Sequence, residues 1–178
     1  MRTTLSLTFI IVSQLIFGQS FEQLGSNFND FFIKEKIFTN SLGTPFFAYI
    51  QDNNLKVKSF INNTWVDIDN TLPILDGGVE DFAIECNMLT DEIFIVYTKS
   101  DGIYYRRYSL SWSSAQFQGV TNGYYTSKFR MSIDQQNNNA YLVYRETSLF
   151  STPLNVNFWR KIDLQTLVVS IVPEPQNY

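Results

Sequence analysis

The pentapeptide IFIVY at residues 93–97 carries no polar side chain on either face of an extended strand. Two related pentapeptides, PFFAY at residues 45–49 and AYLVY at residues 140–144, place their closing tyrosines 48 residues before and 47 residues after the tyrosine of IFIVY. A strand with one solvated face alternates polar and apolar residues, whereas a strand covered on both faces is apolar throughout. The pattern predicts a repeated strand in a sheet that lies between two neighbouring sheets.

The segments on either side of the pentapeptides repeat as well. FAIECN at residues 82–87 matches FRMSID at residues 129–134, again 47 residues apart. YYRRYSL at residues 104–110 matches FWRKIDL at residues 158–164, and these two are 54 residues apart. We therefore expect a longer loop in the third copy, between residues 148 and 155.

A competing alignment rests on the three tryptophans, Trp65, Trp112 and Trp159, which are spaced by 47 residues. In the third copy, the two alignments exclude each other. We prefer the seven-residue match, because its aromatic, basic and aliphatic positions agree together.

Each copy reads as four short strands separated by polar turns such as Asp52-Asn53-Asn54 and Asp76-Gly77-Gly78. The prediction is one all-β domain at residues 19–178, with copies at about 30–75, 80–122 and 127–172 and about twelve antiparallel strands. Repeats of about 40 to 50 residues with four strands are typical of β-propeller blades. Since about four blades are the fewest that usually close a ring, three copies predict a partial ring or a fragment of one. A β-trefoil, which also contains three four-stranded units, is the alternative.

The first copy carries a longer motif. GTPFFAY at residues 43–49 is followed by LKVKSF at residues 55–60 and NTWV at residues 63–66. This order resembles the tandem propeller-type repeats of large exported bacterial proteins, which read G-T-P-aromatic-x-A-Y, then an alternating strand, then a turn and W-V. The other two copies keep the apolar run and the tyrosine but lack the G-T-P and W-V parts.

The resemblance implies a non-enzymatic binding or adhesion module at the cell surface or in the medium, with a glycan or a protein as its ligand. It supplies no functional residue, because the shared positions are turn formers and packing aromatics.

Residues 1–18 have the pattern of a signal peptide. One charge, Arg2, precedes an apolar stretch from Leu5 to Phe17 that is too short to span a bilayer. We expect cleavage after Gly18, no membrane span, and a secreted, periplasmic or cell-surface location. Loss of Arg2 leaves 12 basic and 17 acidic side chains, so the formal net charge changes from -4 to -5. An acidic surface disfavours nucleic acid as a partner.

The chain contains no histidine, which excludes Ser-His-Asp and Cys-His catalysis and His-ligated zinc. We find no catalytic, cofactor or metal motif and predict a protein that is not an enzyme. The alternatives are a trefoil lectin and a fragment of a carboxylate-dependent glycosidase of propeller type, which needs two acids in one pocket. The acids near predicted loops are Asp52, Asp76, Glu80, Asp81, Asp101 and Glu146.

Three smaller features of the sequence are explained more simply by structure than by function. Asp67 and Asp69 offer oxygen ligands to calcium but lack the glycine and distal glutamate of a dedicated loop. The glycosylation sequon at residues 62–64 lies where a turn is expected. Cys86, the only cysteine, shares a strand face with Phe82 and Ile84, which predicts a buried packing role.

The candidate ligand-binding residues are Tyr104, Tyr105, Arg106 and Arg107, because aromatic faces and guanidinium donors together suit sugars or acidic glycans. Strand alternation assigns Tyr104 and Arg106 to one face and Tyr105 and Arg107 to the other. An open arc of blades leaves a sheet face uncovered at each end. For that reason we expect residues 19–178 to dimerise or aggregate at micromolar concentration.

Overall fold

The computed structural model describes residues 32–68, 75–119, 124–148 and 155–173, and these contain thirteen β-strands and no helix. The predicted signal peptide lies outside the described residues. Within them, no helix is long and apolar enough to cross a membrane.

The first sheet is an antiparallel meander in which each strand pairs with the next one along the chain. Its four main strands are β1 (Lys34–Thr39), β2 (Pro45–Gln51), β3 (Asn54–Ile61) and β4 (Thr64–Asp67). Two-residue turns join β2 to β3 and β3 to β4. Asp52 and Asn53 have φ angles of 50° and 59°, and Asn62 and Asn63 have 50° and 65°. Positive φ at both central residues gives a turn whose twist matches that of the strands, so the sequon is the predicted turn.

A short fifth strand, β5 (Asp76–Gly77), pairs with Asn54 and Leu55 of β3. The sequence predicted only a turn here, and Gly78, with φ of 71°, does turn the chain. The two residues before it are extended because the amide of Leu75 donates to the carbonyl of Leu55 at 2.8 Å, and the amide of Val79 to that of Asn53 at 2.9 Å. The outer edge of the first sheet is therefore shared by β4 and β5, and from β5 the chain enters the second sheet.

The second and third sheets repeat the meander. The second contains β6 (Val79–Cys86), β7 (Ile93–Lys99), β8 (Gly102–Tyr108) and β9 (Gln116–Gly119). The third contains β10 (Tyr124–Asp134), β11 (Asn139–Ser148), β12 (Asn155–Asp163) and β13 (Val169–Ile171).

The strand register decides between the two sequence alignments. Tyr97 pairs with Tyr104 in the second sheet, and Tyr144 pairs with Phe158 in the third. Tyr104 and Phe158 are therefore equivalent, which confirms the offset of 54 residues. The tryptophan alignment is wrong, because Trp65 lies in the last strand of its sheet and Trp159 in the third.

The middle sheet is covered on both faces. In β7, six consecutive residues from Ile93 to Thr98 are buried, as the apolar pentapeptide predicted. Alternate residues of this strand belong to two separate cores. Ile93, Ile95 and Tyr97 pack towards the first sheet, and Phe94 and Val96 pack towards the third.

The fold class predicted from the sequence is confirmed: the protein is all-β, with three antiparallel sheets of four main strands each and the short β5 added to the first. The described residues form no closed barrel, so the trefoil alternative is wrong. The sheets stack face to face in a partial, propeller-like arrangement, and the first strands of neighbouring sheets, β1, β6 and β10, contact one another. The trefoil fails because its strands need one solvated face, whereas both faces of β7 are apolar.

Candidate ligand-binding groove

The first strands of the three sheets converge on a groove of about 540 Å³. In each sheet this strand pairs on one side only, so its other edge points towards the groove. The groove is lined by residues of all three sheets: Ile33, Lys34, Glu35 and Lys36 of the β1 segment, Phe82 and Ala83 of β6, and Phe129, Arg130 and Met131 of β10. No single stretch of sequence forms this site.

Asp81, only 8% exposed, connects the three sheets beside this groove. Its carboxylate Oδ2 accepts a hydrogen bond from the amide of Phe129 in the third sheet at 3.1 Å. Oδ1 accepts from the amide of Phe82 in its own sheet at 2.8 Å and forms an ion pair with Lys34 of the first sheet. A buried carboxylate is stable only with such partners, so this contact fixes how the three first strands lie relative to one another.

The basic groups of the groove differ in whether an acidic side chain neutralises their charge. Lys34 is paired with Asp81, and Lys36 is paired with Glu85. Burial lowers the pKa of Lys34; the bond with Asp81 opposes this shift, and the positive charges of Arg130 and Lys36 add to it. Arg130 donates from Nη1 to the carbonyl of Phe129 at 2.8 Å and has no acidic partner among the described residues. Its guanidinium is therefore available to an anionic group.

The four candidate residues of the sequence lie on β8, and the predicted alternation is confirmed. Tyr105 is buried against the third sheet, and its hydroxyl donates to the carbonyl of Leu167 at 3.4 Å. Tyr104 lies on the opposite face, where its ring stacks on Tyr97 with centroids 5.7 Å apart. Its hydroxyl donates to Asp101 at 2.8 Å. Both tyrosines thus have packing roles.

The two arginines of β8 also have partners. Arg106 donates from Nε to the hydroxyl of Tyr97 at 3.2 Å and lies 3.5 Å from the carboxylate of Asp76. Arg107 lies 3.7 Å from Glu92 and is the more exposed of the two. The structure thus brings Arg106 into a network beneath the surface and leaves Arg107 as the more accessible of the two arginines.

Asp76 is the centre of that network. Its Oδ2 accepts a hydrogen bond from the Tyr97 hydroxyl at 2.6 Å, and Lys99 lies 3.4 Å from Oδ1. Burial acts to raise the pKa of Asp76, but the Tyr97 hydrogen bond and the charges of Lys99 and Arg106 outweigh it, so that the pKa lies below its usual value. Burial and the bond to Asp76 raise the pKa of Tyr97. These groups hold the end of the first sheet against β7 and β8.

None of the six acids of the sequence analysis is among the residues that line the groove. Asp52 and Asp101 lie in exposed hairpin turns, whereas Asp81 is buried. The described part of the chain contains no group of three acidic or cysteine side chains that could hold a metal ion. Asp67 is instead paired with Lys58 at 2.9 Å, and Asp69, the other candidate calcium ligand, lies outside the described residues.

Cys86 is buried in the core between the first and second sheets together with Phe82 and Ile84, which confirms the predicted packing role. Burial raises the pKa of its thiol to about 11, with the charges of Asp91 and Glu85 adding to the effect. The thiol is therefore protonated and unreactive at neutral pH.

Comparison with known proteins identifies no relative: no protein-family model, no curated protein and no solved structure matches the chain. The assignment of a site therefore rests on the geometry of the groove and of β8.

Sequence reasoning did not select Lys34, Lys36 or Arg130, although a signal for the groove is present. Lys34, Asp81 and Lys128 are spaced by 47 residues, the repeat length, and each precedes a residue of the groove. These ionisable groups recur at one position of the repeat, where the first strands of successive sheets meet.

Proposed function

We propose that this chain is an exported, non-enzymatic binding module of propeller type that holds an extended, acidic segment of a partner protein in the groove. The observation that carries the proposal is Arg130, an exposed residue of the groove lining whose guanidinium has no acidic partner among the described residues. The resemblance of the first copy to repeats of exported binding proteins supports the same class of function.

The groove suits a polypeptide better than a sugar. Sugar recognition uses aromatic faces that the ligand can stack on, but Phe82 and Phe129, the aromatic residues of its lining, are each only 1% exposed. Strand edges, by contrast, present backbone amides and carbonyls that an added strand can pair with. The four lining residues from Ile33 to Lys36 correspond to roughly 13 Å of strand, enough for about four ligand residues.

Three of the four ionisable residues in the groove lining are basic and one, Glu35, is acidic, so the charges favour an acidic ligand. Arg130 offers a bidentate fork for a carboxylate. Lys36, which is half-exposed at its pair with Glu85, is a second cation of the groove lining. Loss of one charge-assisted hydrogen bond costs about 1.5–3 kcal/mol, which corresponds to roughly ten- to a hundredfold in Kd.

The test is titration calorimetry with a peptide of eight alternating threonine and glutamate residues, beside the matching threonine–lysine peptide and an oligogalacturonate. We expect the acidic peptide alone to bind, and Arg130→Ala to weaken it at least about tenfold. Arg107→Ala is the matched control, because it removes the same charge from β8 instead of from the groove. Equal binding of the lysine peptide contradicts the proposal. A loss with Arg107→Ala but not Arg130→Ala moves the site to β8, and binding of oligogalacturonate only makes the ligand a glycan.

Export is tested separately. We expect the N-terminal sequence of the protein recovered from the periplasm or medium to begin after Gly18. A product that starts at Met1 inside the cell contradicts this part of the proposal.

A further inference from the structure

A cavity of about 40 Å³ lies between the second and third sheets. Its lining consists of aliphatic side chains such as Val96, Leu142 and Val169, the rings of two tyrosines, and one charged residue, Arg160. The cavity shares no lining residue with the groove. One water molecule needs about 10–15 Å³ of such space, so the cavity has room for a group of about three or four heavy atoms.

Arg160 is held in place at this cavity, but its charge is not neutralised. The centre of its guanidinium lies 5.1 Å from the centre of the Phe158 ring and 5.9 Å from that of the Tyr144 ring. Its Nη1 donates to the carbonyl of Trp159 at 3.1 Å. Among the described residues, no acidic side chain pairs with it. A guanidinium has five N–H donors, so donors remain for a ligand.

The repeat gives Arg160 a counterpart in the second sheet. Tyr104 and Phe158 occupy equivalent positions, so Arg106 and Arg160, each two residues later, are equivalent as well. Arg106 faces the first sheet, and the carboxylate of Asp76 lies 3.5 Å from its Nη2. Between the first and second sheets, the chain itself thus supplies a carboxylate to the arginine.

The carboxylate has no counterpart in the sequence of the third copy. The residue 47 positions after Asp76, at the offset that relates Phe82 to Phe129, is Gly123, which has no side-chain oxygen. The arginine is therefore retained between the second and third sheets, whereas the acid that neutralises it between the first and second is not.

We propose that the cavity binds a small carboxylate of the size of acetate, whose oxygens accept hydrogen bonds from Arg160 as those of Asp76 do from Arg106. A planar carboxylate matches the fork of a guanidinium. The short carbon end of the ligand suits the aliphatic lining, which offers no partner to a more highly charged anion. The inference goes beyond the proposed peptide binding and does not depend on it, since the two sites have no residue in common.

The experiment is saturation-transfer difference NMR on the full chain with acetate at about 1 to 100 mM and constant ionic strength, a range that suits a ligand held by one guanidinium. We expect saturable transfer from the protein to the acetate methyl group. Arg160→Gln, which keeps a long polar side chain but removes the charge, is expected to weaken binding at least about tenfold. Val169→Phe, which fills the cavity and keeps Arg160, is expected to abolish it.

Lys161→Ala is the matched control, because it removes the same charge from the next residue of β12, on the other face of the strand. It is expected to leave acetate binding unchanged, and far-UV circular dichroism checks that each variant is folded. If Arg160→Gln does not fold, Val169→Phe decides. Four results overturn the inference: no saturable transfer, equal affinity in folded Arg160→Gln, unchanged binding in Val169→Phe, and displacement of acetate by an equal concentration of chloride.

Discussion

Replacement of Asp81 by alanine tests whether the three sheets are joined as described. The substitution removes the acceptor of the Phe129 amide and the partner of Lys34 at once. A buried amide left without an acceptor costs about 1–3 kcal/mol. The ion pair with the partly exposed Lys34 adds less than about 1 kcal/mol after screening by solvent. We therefore expect Asp81→Ala to lower the free energy of unfolding by about 3 kcal/mol.

The measurement is urea unfolding with linear extrapolation to water. Asp81→Asn, which keeps one carbonyl oxygen as an acceptor but loses the charge, is expected to cost about half as much. Asp101→Ala removes an acid from an exposed turn and should change stability by less than about 0.5 kcal/mol. If Asp81→Ala costs less than about 1 kcal/mol, the amide of Phe129 finds another acceptor and Asp81 does not join the sheets.

Three further outcomes are expected. Ile95→Ala, in the doubly covered β7, should destabilise the protein by about 3–4 kcal/mol in urea unfolding, whereas Leu110→Ala, at a residue 93% exposed, should change it by less than about 0.5 kcal/mol. Iodoacetamide should label Cys86 at pH 8 roughly a hundredfold more slowly in the folded than in the guanidinium-unfolded chain, because its pKa is raised to about 11; equal rates contradict its burial. Because the folded-state pKa of Asp76 is lowered, its carboxylate stabilises the fold above the unfolded value of 3.8 and this stabilisation is lost on acidification. The stability difference between the original chain and Asp76→Asn should therefore shrink between about pH 5 and pH 3, and a difference that is independent of pH refutes the ionic role of Asp76.

The fold was largely predictable because its signals are local. Period-two patterns and polar turns located the strands, and the unbroken apolar run from Ile93 to Tyr97 predicted a sheet covered on both faces. The 54-residue offset of the aromatic-basic segments correctly predicted that Tyr104 and Phe158 occupy equivalent positions. The strand β5 was missed because nothing in Asp76 or Gly77 favours a strand. It forms because Leu75 and Val79 are held by the carbonyls of β3.

The groove could not be predicted in the same way. Its basic groups come from β1 and β10, about 95 residues apart, and only the stacking of the sheets brings Lys36 and Arg130 to one groove. The sequence instead favoured β8, where aromatic and basic residues are adjacent in the chain. Strand alternation sends Tyr105 into a core, and Asp76 engages Arg106, so adjacency in sequence did not produce an open surface there.

The meander order of all three sheets bears on how a gene for such a protein can lengthen. Within the residues that the structure describes, every sheet is drawn from one stretch of chain and no strand is exchanged between sheets. A tandem duplication of one stretch therefore adds a whole sheet without rethreading the others, and an inserted sheet acquires a neighbour on each side. A duplication that covers only part of the stretch for one sheet adds an incomplete sheet. Such a sheet leaves a strand edge unpaired, which invites misassembly. Recombination between similar stretches of DNA is thus expected to change the length of such chains in steps of about one repeat.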